Sequence, residues 1–436
     1  FELSPCCRGS VLRSRKMEKI MGHEVLISVR DATARIAQIK DGRLVGFQAA
    51  PMGQKQADAA DRLNGRIYLA QVERVVPHLQ AAFVNIGLDR AGFLGAREAR
   101  ALVPGADRET PIEDCVQSGD TLLVQVTRPP VGDKGAQITA DVALPGRAVV
   151  IAPCRNRIAV SRSIEDEDER TRLSELASQI VAGKNADPIE VEGMDGPAGW
   201  VIRTAAVGMQ ADELAADMTS VAAQWEALID QAEEARPPSL LHEDLGPVER
   251  AVRDLVRSST EIICIEGEAA FRAAQAYCRQ HSPDLVDRIE KSDDDEYLFD
   301  RHNIDEYIEE AQSARVELPS GGWVMFETTQ AMTTIDVNSG NHDAPARAVN
   351  LEAAQIIARQ IRLRGLGGLI AIDFIDMTES TDSETVLQAL DEGFTGDKQP
   401  VRIGPMSEFS VVEMTRRRSG MTLAQSLQQI RPAVDE

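Results

Sequence analysis

The sequence predicts a multidomain protein of α+β and α/β character, and three observations carry that prediction. At 436 residues the chain is longer than one ordinary core serves. Short β-rich runs (RIYLAQV, AAFVNIG, AGFL, TLLVQV and QIT) recur between 65 and 139, divided by Pro, Gly and Asp, a spacing that suits a small barrel. In the last third, strand-like and helix-like runs alternate, which implies parallel strands joined by a right-handed crossover.

Taken in order, residues 24–47 alternate around Asp41-Gly42, a pair that tolerates the positive φ of a tight turn, so a β-hairpin is expected to open the fold. The barrel follows. Beyond it lie β-like runs at 149–152 and 157–160, a charged helix over 166–181 and a strand at 200–203. Two amphipathic helices, 212–234 and 245–257, are separated by Arg236-Pro237-Pro238, and the double proline breaks the helix and marks a boundary. Strand 261–265 and helix 268–279 make one α/β layer. Strands at 322–328 and 333–338, a helix over 346–364, a short buried strand at 369–373 and a helix over 382–394 complete the pattern.

A hydrophobic share of 43% and a charged share of 27% are those of a folded globular chain and exclude collagen-like or low-complexity classes. The net charge of −23 speaks at first against a nucleic-acid partner, yet much of the acid is clustered at 165–169 and 293–296, which leaves room for a local basic groove. The six cysteines include no C-x-x-C pair, against a zinc ribbon or a thioredoxin motif and in keeping with a reducing compartment. No apolar run of membrane-spanning length and no secretory signal is found, so a cytoplasmic location is expected. The segment 1–16 is free of acid after Glu2 and is set aside as either a transit peptide or upstream sequence, with Met17 or Met21 as the start.

The chemistry concentrates in two runs. In TTIDVN (333–338) a period of two puts Ile335 and Val337 on one face and Thr334, Asp336 and Asn338 on the other. In LIAIDF (369–374) an apolar run ends on Asp373, at the carboxyl end of a strand, where parallel sheets deliver functional groups. Two carboxylates brought together repel unless a hard cation joins them, and magnesium takes oxygen ligands while keeping several waters. Asp336 and Asp373 are therefore candidate ligands of Mg2+, with Mn2+ as a substitute, for attack of an activated water on a phosphodiester, and Asn338 is placed to orient a carboxylate or the water. Each aspartate could instead end its strand as a turn or cap residue.

Longer motifs add to this reading. LPSGG (318–322), TTIDVNSG (333–340), NLEAA (350–354) and GGLIAIDFIDM (367–377) resemble the catalytic region of the ribonuclease E/G family. Further matches are RIYLAQVERVVPHLQAAFVNIGLDRAGFL (66–94), DKGA (133–136), VIRTA (201–205), PSLL (238–241) and EMTR (413–416), so the likeness runs over about 24–427. The resemblance implies a ribonuclease H-like layer over 22–62 plus 249–312, an S1 (OB-type) barrel at 63–142 inserted in it, a 5′-phosphate sensor region at 143–248 and a DNase I-like catalytic subdomain at 313–436, with 1–21 a non-native or disordered leader. It implies magnesium on Asp336 and Asp373 with Asn338 in support, RNA contacts at Phe83, Phe93 and Lys134, and a 5′-monophosphate pocket at Arg203 and Thr204, with Arg162 a looser match.

The residue types suit those tasks: aromatic rings stack on unpaired bases and guanidinium groups grip phosphate. Taken singly, Phe83 and Phe93 read as barrel core and Arg203 as a salt-bridge residue. Arg416 and Arg418, and with them Arg359, Arg362, Arg364 and Arg417, are candidate contacts for the RNA backbone, although a helix C-terminus favours the cations at 359–364 anyway.

Three departures stand out. The family's C-P-x-C motif after the segment matching 423–427 is missing, so no zinc is expected and a homo-oligomer would lack the zinc link. The loop 340–350 is short. Ser407-Glu408-Phe409-Ser410 stands where the family usually has Ser-Arg-Phe-Gly, which places an acid near the scissile phosphate. The expected function is a magnesium-dependent endoribonuclease that cuts single-stranded RNA to 5′-phosphate and 3′-hydroxyl ends in RNA processing or decay. The alternative is an RNA-binding S1 protein with weak or lost turnover.

Overall fold

The computed structural model describes residues 22–52, 63–130, 134–155, 157–164, 166–183, 199–292, 297–340, 344–377, 379–395, 397, 399–418 and 421–430. The leader 1–21, the acidic run 293–296, Glu165, Asp133 and part of the loop 340–350 lie outside the described residues.

Strands His23–Arg30, Thr33–Lys40 and Arg43–Pro51 form an antiparallel meander, so two hairpins stand where one was expected. Asp41 and Gly42 take φ of 51° and 73° as anticipated, and Asp31 and Ala32, at 47° and 55°, make a second turn of the same kind without a glycine to mark it. Strand Thr260–Glu266 pairs parallel with His23–Arg30, and Ile289–Lys291 extends that edge, which unites segments more than two hundred residues apart in one five-stranded sheet. The central strand is buried on both faces. Val25 and Ile27 meet helices Pro247–Leu255 and Glu268–His281, and Leu26 meets Leu298, Phe299 and Ile304.

Strands Ile67–Val76, Ala81–Asn85, Gly92–Gly95, Gln137–Thr139 and Thr121–Arg128 close on themselves as a five-stranded barrel, because Ile67–Val76 pairs with both Ala81–Asn85 and Thr121–Arg128. Its inward residues, among them Ala70, Val72, Val84, Leu94 and Val126, are almost wholly buried. After the double proline the chain returns to this unit: Ser239–His242 adds a strand alongside Ile67–Val76. A four-stranded sheet with Val149–Ala152 and Gly199–Ile202 is covered by helices Glu167–Val181 and Ala211–Glu234 around Trp200. Asp166 caps the first of these helices by accepting from the Asp168 and Glu169 amides.

The last body is a six-stranded sheet in the order Arg315–Glu317, Trp323–Thr328, Met332–Asn338, Gly368–Asp373, Val411–Arg416 and Val401–Met406. Helix Ala346–Arg364 spans the range expected for it, and Gly365 ends it at φ 68°, a left-handed conformation open to glycine. This helix and Ser380–Gly393 bury Ile335, Val337, Ile370 and Ile372 from one side. The other side stays open. Strand Gly368–Asp373 is thus buried on one face only, with Leu369 40% exposed, and the expectation of a short buried strand is corrected to that extent. No helix among the described residues is long and apolar enough to cross a membrane.

Candidate metal site and nucleic-acid surface

Strands Met332–Asn338 and Gly368–Asp373 run parallel, in a register that sets Asp336 directly beside Asp373. The alternation that sinks Ile335, Val337 and Ile372 into the core lifts both carboxylates onto the open face, at the carboxyl ends of their strands. Asn338 Nδ2 donates to Asp336 Oδ2 at 2.7 Å, which steers that carboxylate. Gly322 lets the neighbouring chain come close, since a Cβ there would meet the Asn338 carbonyl oxygen at 2.3 Å. Burial, and then the charges of Asp336 and Asp376, push the Asp373 carboxyl above its ordinary value.

These residues line a cleft of about 520 Å³ together with Asp376, Glu408 and Phe409. Among the described residues neither Asp336 nor Asp373 has an ion-pair partner. Nor do the described residues hold any group of three His, Cys, Asp or Glu arranged to hold a metal, so a cation here would draw on two carboxylates and water.

Three contributors escaped the sequence reading. Asn350 is fully buried inside its helix, where it donates to the Ile375 carbonyl (2.8 Å) and accepts from the Ile375 amide (3.1 Å), clamping the backbone just beyond Asp373. A polar residue at a helical core position gave no hint of that role. Ser410 adopts φ 58°, a conformation suited to glycine, and its hydroxyl donates to Asp376 Oδ1 at 2.8 Å, a bond that glycine could not make. Phe409, at the tip of this turn, is 81% exposed beside the carboxylates. An apolar ring of that exposure in a polar cleft is unexplained by folding.

On the barrel, Phe83 and Phe93 face each other across paired strands, ring centroids 6.1 Å apart and planes at 79°. Neither belongs to the barrel core: Phe93 is 36% exposed and Phe83 half-buried under the Arg74 guanidinium, 5.0 Å from its ring. The core reading of the two rings is thereby corrected. Lys134 is exposed, and its segment runs close to the strand carrying Phe93, because Gly135 presents only hydrogen to the Ala91 carbonyl where a Cβ would lie 2.1 Å away.

Arg203 is half-buried; it forms an ion pair with Asp254 (2.7 Å) and donates to the Gly146 carbonyl. Its backbone amide donates to Ala148, whose own amide is held by the buried Asp217 carboxylate, so the position is tightly built. Thr204 starts the next turn, half-buried, and Arg162 is exposed.

The remaining arginines divide. Arg416 is only 8% exposed, grips Asp397 with two bonds (2.8 and 3.1 Å) and donates to the Leu366 carbonyl, so it braces the sheet and leaves little of itself for RNA. Arg359 pairs with Glu310, and Arg364 lies over the Phe326 ring. Arg417 and Arg418 are exposed.

Comparison with known proteins gives the family. A profile described as the ribonuclease E/G family matches residues 143–419. Ribonuclease G of Escherichia coli K12 is 33% identical over 412 residues, covering 92% of this chain and 80% of the relative. Ribonuclease G of Haemophilus influenzae is 31% identical over 413 residues with the same coverage. Ribonuclease E of Haemophilus influenzae is 35% identical over 410 residues, covering 91% of this chain and 42% of that longer protein.

Proposed function

Because the chain belongs to the ribonuclease E/G family, we propose that it is a magnesium-dependent endoribonuclease that cuts single-stranded RNA to 5′-phosphate and 3′-hydroxyl ends. That it is an endoribonuclease of RNA processing follows from the likeness over nearly the whole chain; the cation, the product ends and the roles of single residues are our reading. The observation that carries it is the register pairing of Asp336 with Asp373 on an open sheet face, without a basic partner among the described residues.

An all-oxygen, doubly anionic donor pair suits a hard divalent ion, and Asp336 and Asp373 would hold it. Bound magnesium supplies Lewis acidity and an activated water for phosphodiester hydrolysis. Asn338 fixes the Asp336 carboxylate, and Asn350 fixes the backbone beyond Asp373. The barrel is read as an S1 domain whose Phe83, Phe93 and Lys134 hold unpaired RNA; Arg203 and Thr204, with Arg162 nearby, are read as a pocket for a 5′-monophosphate. Of the arginines proposed for the RNA backbone, Arg417 and Arg418 are exposed for it and Arg416 is not. The layout of ribonuclease H-like layer, sensor region and DNase I-like subdomain stays part of this proposal, as does a cytoplasmic location.

A fluorescent, 5′-monophosphorylated single-stranded RNA tests the reading. Cleavage is expected with magnesium, lost in excess EDTA and restored by added magnesium, with 5′-phosphate on the downstream product. Cutting that persists in EDTA would reject the metal site, and tight binding without cutting would favour the non-catalytic alternative.

Phe409 gives a sharper expectation. A ring this exposed beside the carboxylates is read as a platform for a base next to the scissile phosphate, a stack of about 1–3 kcal/mol. Phe409→Ala is therefore expected to lower kcat/KM by about ten-fold or more, and Phe409→Trp to retain most of it. An equal loss on RNA that carries an abasic nucleotide at each position flanking the cut would exclude stacking.

A further inference from the structure

A second cavity, of about 480 Å³, lies where the five-stranded and six-stranded sheets meet, and it shares no lining residue with the carboxylate cleft. It sits at the other end of the catalytic strands: Gly368 pairs with Arg416, which lines this cavity, while Asp373 pairs with Val411. Four guanidinium groups border it, those of Arg250, Arg257, Arg362 and Arg416, against one carboxylate, Asp397.

The charges do not cancel. Asp397 is fully engaged by Arg416, and Arg250 is held by Asp244 at 3.1 Å. Arg257 has no side-chain partner among the described residues, and Arg362 has a single bond, to the Gly393 carbonyl at 3.2 Å. Burial holds both guanidinium groups below the ordinary arginine value; at Arg362 the Asp397 carboxylate works against that shift, and the nearby Arg257 and Arg416 work with it. Two half-buried cations bordering one void, whose single carboxylate is already engaged by Arg416, are an unfavourable arrangement for folding alone.

We propose that this cavity is a binding site for a small, free phosphate-bearing anion, gripped by Arg257 and Arg362. A guanidinium fork matches phosphate oxygens bidentately, and the volume lies within the roughly 300–1,000 Å³ of small-molecule sites. Its walls come from both sheets, so an occupant would tie the helix Ala346–Arg364 and the strand Val411–Arg416 to the strand Arg43–Pro51. Such a ligand stabilises the junction behind the catalytic strands, which makes the site regulatory in character.

Thermal denaturation of the full chain in EDTA, with inorganic phosphate titrated at constant ionic strength against chloride, tests this. A saturable rise in Tm with phosphate alone is expected; at 100 times its Kd the folding constant rises about 100-fold. In an Arg203→Gln background, which removes the other candidate phosphate pocket, the saturable rise is expected to remain, and Arg257→Gln or Arg362→Gln added to that background is expected to abolish it. Should Arg362→Gln fail to fold for want of its bond to Gly393, Arg257→Gln decides alone, because that side chain has no partner among the described residues to lose. No saturable rise, or a rise that survives Arg257→Gln in that background, or one lost in Arg203→Gln itself, overturns the proposal.

Discussion

Asp373→Asn is expected to reduce kcat for RNA cleavage by about 10²–10³-fold or more, the range seen when one group that stabilises transition-state charge is removed, while RNA affinity changes little. The substitution keeps shape and removes one negative charge. Asp373 stands beside Asp336 in register and feels Asp376 as well, and its carboxylate has no ion-pair partner among the described residues. Its loss relieves repulsion, so in metal-free buffer the variant should melt no lower than the wild type. Stability held or gained while turnover collapses is the signature of a residue kept for function at a cost to folding. Single-turnover cleavage, fluorescence anisotropy of the same RNA and a thermal melt measure the three quantities. A variant that cuts at near wild-type rate would remove Asp373 from the chemistry, and a variant that melts well below the wild type would make it a structural residue.

The site was legible because it obeys a local rule. In TTIDVN the period of two separates core from cleft within six residues, and the strand's neighbour follows from one helix of matching length, so the pairing of Asp336 with Asp373 needed no distant information. Strand Val401–Met406 was not legible for an equally local reason. It holds Gly404 and Pro405, which argue against a strand, and the structure accommodates them on the sheet's outermost strand, at a register shift between Ile403 and Met406. Arg416 shows a different limit. A basic residue near a phosphate site suggests an RNA contact, yet its partner Asp397 lies in a loop that periodicity does not describe, and only folding brings the two together. Asn350 and Phe409 fail in opposite directions: a polar side chain fully buried and an apolar one left out, each against the pattern from which the elements were read. Places where local preference and final environment disagree are where function is best sought.

Phe93→Ala is expected to weaken binding of unpaired RNA by about 1–3 kcal/mol, or roughly 5- to 150-fold in Kd, with little loss of stability. A Phe in the barrel core would behave otherwise, since its truncation typically costs about 3–5 kcal/mol of folding free energy. The structure distinguishes the two cases: the ring lies outside the core cluster and is 36% exposed. Phe83 supports it edge to face at 6.1 Å and is itself covered by Arg74, so the pair acts as one platform and its two truncations should not add. Phe83→Ala should therefore cost binding mainly through Phe93, and the double variant should bind little worse than the weaker single one. Strictly additive losses would mean two independent base contacts. A large drop in Tm for Phe93→Ala would return the ring to the core and leave the barrel's grip on RNA to Lys134 and the backbone.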